Sequence, residues 1–267
     1  VHPTEIADWI KDRLAEEDIV PENIAFISAK SKYGINGVIR KIKSIFPDKK
    51  VKAVVLGVSN VGKSSVINLL LGKNKITTSK YSGTTLKSIN NKIPDTDITI
   101  TDTPGLIPKE KRLSDMLSVE TGLKLVPSGE ISRKTFKLEE GQVFMFDAFC
   151  RFKVKENKSK NDIAEEKKYK PIFSVYSSKN VKFHVTKEER VEELLEGDFF
   201  DVLKGEEKKK YFENEFVTFK TTVKENEDLV ISGLGWINVK RGPLAIELTV
   251  PKGVKVIVRP SIFKGKK

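Results

Sequence analysis

Cysteine is almost missing from this 267-residue chain, where Cys150 stands alone. One cysteine excludes an intramolecular disulfide framework and cannot supply a cysteine-rich zinc site. Cys150 lies in a strand-like run and reads as a small core residue. Histidine is as scarce, and His2 and His184 lack metal-ligand spacing, so both read as structural. No apolar run approaches the length of a membrane span, and the N-terminus lacks a signal-peptide pattern. These absences point to a reducing cytoplasm and to no membrane partner. Acidic residues are outnumbered: 37 Asp and Glu face 49 Lys and Arg, a net charge of +12. That excess favours a polyanionic partner beyond a single nucleotide. Lysine-rich surfaces also serve solubility, so charge alone does not decide for RNA.

What the chain does have is a phosphate loop. The run Gly57-Val-Ser-Asn-Val-Gly-Lys-Ser64 matches G-x-x-x-x-G-K-[ST], whose backbone N–H groups cradle nucleotide phosphates. An apolar run from Val51 to Leu56 precedes it, and Val66, Ile67, Leu70 and Leu71 follow with helical periodicity. That strand–loop–helix setting is the one the motif requires. Downstream, Asp102-Thr-Pro-Gly105 closes a strand reading Asp97 to Thr101, where an Asp reaches Mg²⁺ and a Gly amide faces a γ-phosphate. Ser82-Gly-Thr-Thr85 lies between the two in a polar, lysine-rich stretch, a place for a switch threonine. A third element, Ser28-Ala29-Lys30, follows the apolar segment Ile24 to Ile27, which reads as a short strand. In GTPases such a tripeptide lies beside the guanine base and comes after the Asp-x-x-Gly motif. Here it comes first.

That rotated order resembles the circularly permuted GTPases, and closely the bacterial YqeH family. The resemblance covers nearly the whole chain. It includes the amphipathic start around Trp9, the motifs above, and the tail segments Ile231-Ser-Gly-Leu-Gly-Trp236 and Pro251-Lys-Gly-Val254 to Arg259. It implies a GTP-hydrolysing factor for assembly of the small ribosomal subunit, with rRNA or a ribosomal protein as partner. Two departures stand out. The family's Asn-Lys-x-Asp motif has no match here, and neither do the paired cysteines of its N-terminal zinc module. Both fit a chain shortened at its N-terminus, whose nucleotide-binding sheet is then incomplete.

The expected fold is an α/β P-loop GTPase domain, circularly permuted, over residues 1–119, followed by a strand-rich RNA- or protein-binding domain over 120–267. In the first, Ile6, Trp9, Ile10 and Leu14 recur at helical spacing, as do Ile35, Val38, Ile39, Ile42 and Phe46. Pro47 and Gly72 are placed to end helices. The alternation predicts a mostly parallel sheet with ligands at the carboxyl ends of its strands. Beyond residue 131 strands are predicted at 143–154, 172–176, 181–185, 216–223, 229–231, 236–239, 244–250 and 254–258, with one helix from Glu188 to Leu195. The polar stretch from Lys155 to Lys170 reads as a mobile loop. Phe144, Phe146, Phe149 and Phe152 fit core packing better than a base-stacking platform. Lys208 to Lys210 and Lys264 to Lys267 either touch RNA phosphates or are simply solvated.

Phosphoryl transfer needs positioning and charge neutralisation, and the candidate roles follow. Lys63 reaches the β- and γ-phosphates, and Ser64 and Asp102 hold Mg²⁺. The backbone around Ser59, Asn60, Val61, Gly62 and Ser65 lines the phosphates at the start of a helix. Ser28, Ala29 and Lys30 face the base, and Gly105 senses the γ-phosphate of GTP over GDP. The family pattern makes Thr85 the switch ligand to Mg²⁺, with Thr84 as the alternative. Leu106 stands where Ras-like enzymes carry the glutamine that orients the attacking water. Hydrolysis by this chain is therefore expected to be slow. In potassium-activated relatives an asparagine at the place of Asn60 ligates K⁺; the other reading is that Asn60 braces the loop. Beside the GTPase switch stands one alternative function, a nucleic-acid or protein-binding module with a weak, catalytically poor nucleotide site.

Overall fold

Helix α1, Pro3–Ala15, is capped by His2, whose side chain accepts from the Thr4 N–H while Glu5 accepts from the His2 N–H. This explains one of the two histidines structurally. The computed structural model describes residues 2–58, 61–72, 89–106, 110–127, 131–139, 141–158 and 170–263. The chain divides into two units, Val1–Lys109 and Glu110–Lys267. The division falls before the 119/120 boundary read from the sequence, because Leu113 is fully buried in the second unit's core.

In the first unit α2, Ile35–Ile45, starts at Gly34, in the left-handed region at φ 77°. A Cβ there would lie 2.3 Å from the Phe26 carbonyl oxygen, so only glycine fits. Strand β1, Val51–Val55, leads through the phosphate loop into α3, Lys63–Leu71, and Gly72 ends that helix at φ 63°. Strands β2, Ile89–Lys92, and β3, Ile98–Asp102, complete a sheet of order β1-β3-β2. β1 and β3 run parallel, but β2 and β3 are antiparallel. The tight turn between Ile93 and Ile98, with Asp95 at φ 55°, forces that hairpin and corrects the mostly parallel expectation. Ile67, Leu71, Ile93, Ile98 and Ile100 form the core, with Ile27, Ile39 and Ile42 packed against it. The segment from Ile24 to Ile27 is no strand. Among the described residues its neighbourhood holds only the isolated bridge Ser28–Tyr33.

The second unit is a β-sandwich with helices at its margins. Helix α4 spans Val119–Leu125. Strands β4 (Ser132–Lys137), β5 (Gln142–Phe146), β6 (Cys150–Asn157), β7 (Ile172–Ser177) and β8 (Phe183–Lys187) follow. After α5 (Val191–Glu196) and α6 (Gly205–Phe212) come β9 (Phe216–Val223), β10 (Glu227–Ile231), β11 (Gly235–Arg241), β12 (Leu244–Pro251) and β13 (Val256–Pro260). They form two antiparallel sheets, β13-β10-β11-β7-β4 and β8-β5-β6-β12-β9. The predicted strand 143–154 is a hairpin, because Asp147 adopts φ 49° and turns the chain. β6 runs on to Asn157, shortening the predicted loop, most of which lies outside the described residues.

Aromatic rings fill the space between the sheets. Phe144 and Phe152 of one sheet meet Phe173 of the other with centroids 5.6 and 5.1 Å apart. Phe146 and Phe149 are also fully buried, so the phenylalanine row is core, as is Cys150, whose thiol pKa burial pushes far up. Val191, Leu194 and Leu195 are the buried face of α5. The second histidine packs its ring against Phe199, and burial lowers the His184 pKa.

Candidate functional site

The carboxyl ends of β1 and β3 lie side by side, since Val55 is the register partner of Asp102. From Val55 the chain enters the phosphate loop, and from Asp102 it enters Thr103-Pro104-Gly105. Further bonds tie the two segments. The Leu106 N–H donates to the Gly57 carbonyl at 3.0 Å, and the Thr103 hydroxyl donates to the Val55 carbonyl at 2.7 Å. Val58 and Leu106 form a parallel bridge, and the Leu106 side chain is exposed. Gly57 sits at φ 154° and Gly62 at φ 97°, both in the region that favours glycine.

Within this frame Lys63 opens α3, and its Nζ donates to the carbonyls of Gly57 and Val58 at 3.0 and 2.9 Å. The ammonium is thereby held against the loop backbone. Ser64, one residue further, donates its hydroxyl to Asp102 Oδ2 at 3.3 Å. Asp102 is completely buried, and its other oxygen, Oδ1, has no hydrogen-bond partner among the described residues. A buried carboxylate oxygen without a donor is expensive unless a cation or ordered water meets it. This donor set, hydroxyl plus carboxylate, is all oxygen and suits a hard divalent ion such as Mg²⁺. Ser65 lies in the first turn of α3, whose N–H groups face the loop end of the helix.

Several sequence candidates gather here: Val61, Gly62, Lys63, Ser64, Ser65, Asp102 and Gly105. Ser59, Asn60, Thr84 and Thr85 lie outside the described residues. Ser28, Ala29 and Lys30 belong to a turn of their own, closed by the Ser28 N–H to the Tyr33 carbonyl and the Ser31 N–H to the Ser28 hydroxyl. Among the described residues no hydrogen bond links this turn to the phosphate loop. The tie from Thr103 to β1 has no counterpart in the motif pattern; its only sequence signal is its place one residue after Asp102. Lys208 does not act as a free cation, because its Nζ caps the end of α5 through the carbonyls of Glu196 and Gly197, at 3.1 and 2.6 Å.

The family described as "YqeH-like, C-terminal" matches residues 170–262. A Bacillus subtilis protein described as uncharacterized protein YqeH is 30% identical over 265 residues, which span 97% of this chain and 68% of that protein. The chain belongs to the YqeH family. Its phosphate-loop region matches the family described as "50S ribosome-binding GTPase" over residues 52–178. A probable ribosome biogenesis GTPase A of Mycoplasma pneumoniae is 35% identical over 125 residues, 42% of this chain and 43% of that protein. GTPase Der of Lachnospira eligens is 37% identical over 100 residues, 34% of this chain and 23% of that protein. This YqeH family member thus carries a GTPase domain followed by a mainly β domain, the order expected from the sequence. Among the described residues no helix is long and apolar enough to cross a membrane.

Proposed function

We propose that this chain is a slow GTPase switch of ribosome assembly, whose nucleotide state governs binding to rRNA or a ribosomal protein of the small subunit. The observation that carries the reading is the meeting of Ser64 with buried Asp102 at the ends of two parallel strands, directly under the phosphate loop. Lys63 binds the β- and γ-phosphates, and the amides from Asn60 to Ser65 hold the phosphate oxygens. Ser64, Asp102 and, in the GTP state, Thr85 hold Mg²⁺, which when bound neutralises charge on the β- and γ-oxygens. The Gly105 amide senses the γ-phosphate. Leu106 offers no hydrogen-bonding group to the attacking water, which accounts for slow turnover. Asn60 is the ligand for K⁺. Ser28, Ala29 and Lys30 read the base, and their place ahead of the loop supports a circularly permuted order.

Titration of the chain with GTP, GDP and ATP in Mg²⁺ tests the nucleotide reading. Wild type binds guanine nucleotides, Lys63→Ala abolishes binding, and Thr85→Ala weakens GTP while sparing GDP. Equal losses for both nucleotides in the Thr85 variant transfer the switch role to Thr84. Uniformly weak binding of all three nucleotides by wild type favours the alternative, a binding module with a poor nucleotide site. Cosedimentation with purified small and large ribosomal subunits, each with GTP or GDP, tests the partner. Nucleotide-dependent binding to the large subunit alone overturns the small-subunit assignment.

A further inference from the structure

Along the sheet β13-β10-β11-β7-β4, alternate residues face away from the sandwich core. Phe173, Val175, Ile237 and Val239 turn inward. Arg133, Tyr176 and Trp236 lie opposite one another in register on the outer face. Tyr176 and Trp236 stack with centroids 4.7 Å apart and planes within 6°. Phe263, just after β13, lays its ring parallel to Tyr176 at 5.6 Å and remains 37% exposed. The Arg133 guanidinium sits 5.7 Å from the Tyr176 ring centroid.

Charge distinguishes this face from the other sheet. There, Arg151, Lys153, Lys155 and Lys220 are paired with Glu192, Glu188 and Glu247. On the stacked-ring face Arg133 and Lys240 make no ion pair among the described residues. The two cations act on each other, and burial together with the Arg133 charge lowers the Lys240 pKa. Beneath them Asp228 is hydrogen-bonded to Asn238 at 2.8 Å, pairs with Arg259 at 3.6 Å and attracts Lys240, so one carboxylate faces three cations. Parallel rings standing beside an excess of cations match the two parts of a single nucleotide strand, flat bases and phosphates.

We propose that this outer face, with the Trp236–Tyr176–Phe263 stack bordered by Arg133 and Lys240, docks a short stretch of single-stranded RNA. Phe263 is the ring open to a base, which extends the stack by one member. Arg133 and Lys240 contact the flanking phosphates. A duplex hides its base faces and is excluded from this mode. The proposal rests on the RNA-partner reading above and gives it a location.

The test is fluorescence anisotropy of a labelled twelve-nucleotide uridine-rich RNA with the full chain over a salt series. Wild type binds, with affinity falling as salt rises. Phe263→Ala weakens binding roughly tenfold. Arg133→Gln lowers the slope of log affinity against log salt by about one. Lys187→Gln, an exposed change on the other sheet, leaves binding unaltered. In a Trp9→Phe background, bound RNA quenches the fluorescence of Trp236, the remaining tryptophan of the two. RNA binding unchanged in both the Phe263 and Arg133 variants overturns the location and leaves the RNA reading standing. No RNA binding by wild type at low salt overturns both. Polyglutamate bound by wild type and lost in the variants, with RNA ignored, makes the face a protein-docking surface and overturns the proposal.

Discussion

Ser64 and Asp102 meet across 3.3 Å although 38 positions separate them, and Asp102 Oδ1 beside that contact is buried without a partner among the described residues. The pairing brings the two motifs together at the oxygen donor set proposed above to hold Mg²⁺.

Asp102→Asn is therefore expected to act in opposite directions on stability and binding. Removing the buried carboxylate oxygen that lacks a donor among the described residues should raise stability without Mg²⁺ and nucleotide by about 1 kcal/mol. Affinity for Mg²⁺–GDP should fall by roughly ten- to a hundredfold, the worth of one charge-assisted contact. Thermal unfolding in EDTA and calorimetric titration in Mg²⁺ measure the two. A variant that is less stable and binds normally would make Asp102 a purely structural residue.

Lys208 supports a helix end. Lys208→Ala should destabilise the second unit by about 1 kcal/mol, because two carbonyls at the end of α5 lose their donor. Lys209→Ala should change stability by less than about 0.5 kcal/mol, since its ion pair with Glu206 is exposed. Urea unfolding curves of the two variants should separate. If they coincide, the cap contributes nothing.

Glu207 should give the second unit an acid-sensitive contact. Its carboxylate accepts from the Ser118 N–H at 2.7 Å and the Thr121 hydroxyl at 2.6 Å, fastening the start of α4. Burial alone would raise its pKa, but these hydrogen bonds outweigh burial and hold it below the ordinary value. The stabilisation is present above the unfolded pKa, about 4.3, and is lost as pH falls through the lower folded value. Solvent screening keeps it under about 1 kcal/mol. The stability gap between wild type and Glu207→Gln should be open at pH 6 and close toward pH 3 in thermal melts. A gap that widens on acidification contradicts the assignment.

The K⁺ role proposed for Asn60 would offset the missing water-orienting group at Leu106. GTP hydrolysis should run faster in KCl than in NaCl at equal ionic strength, on the order of tenfold, because the extra cation supplies charge stabilisation. Asn60→Ala should erase most of that difference and leave Mg²⁺-dependent binding intact. Equal rates in the two salts, with and without ribosomal subunits, would leave Asn60 a loop brace.

Local patterns were legible wherever a motif or a period acts within one segment. The phosphate loop, the end of α3 at Gly72 and the buried face of α5 all follow from residue order, because φ limits and amphipathic spacing are local constraints. The predicted strand at 24–27 failed for the complementary reason: a strand exists only with a partner, and its apolar residues say nothing about one. Apolar runs likewise could not reveal the hairpin at Asp147, since a single left-handed residue decides it.

By itself, then, the sequence determined the phosphate chemistry, the order of an α/β unit before a strand-rich one, and the phenylalanine row as core. Tertiary structure alone decided that Asp102 would be buried against Ser64, and that Lys208 would serve a helix end. It also decided that Tyr176, Trp236 and Phe263 would stack on one outer face beside Arg133. Each of these joins residues far apart in the chain, and only strand register and packing bring such groups within reach of one another.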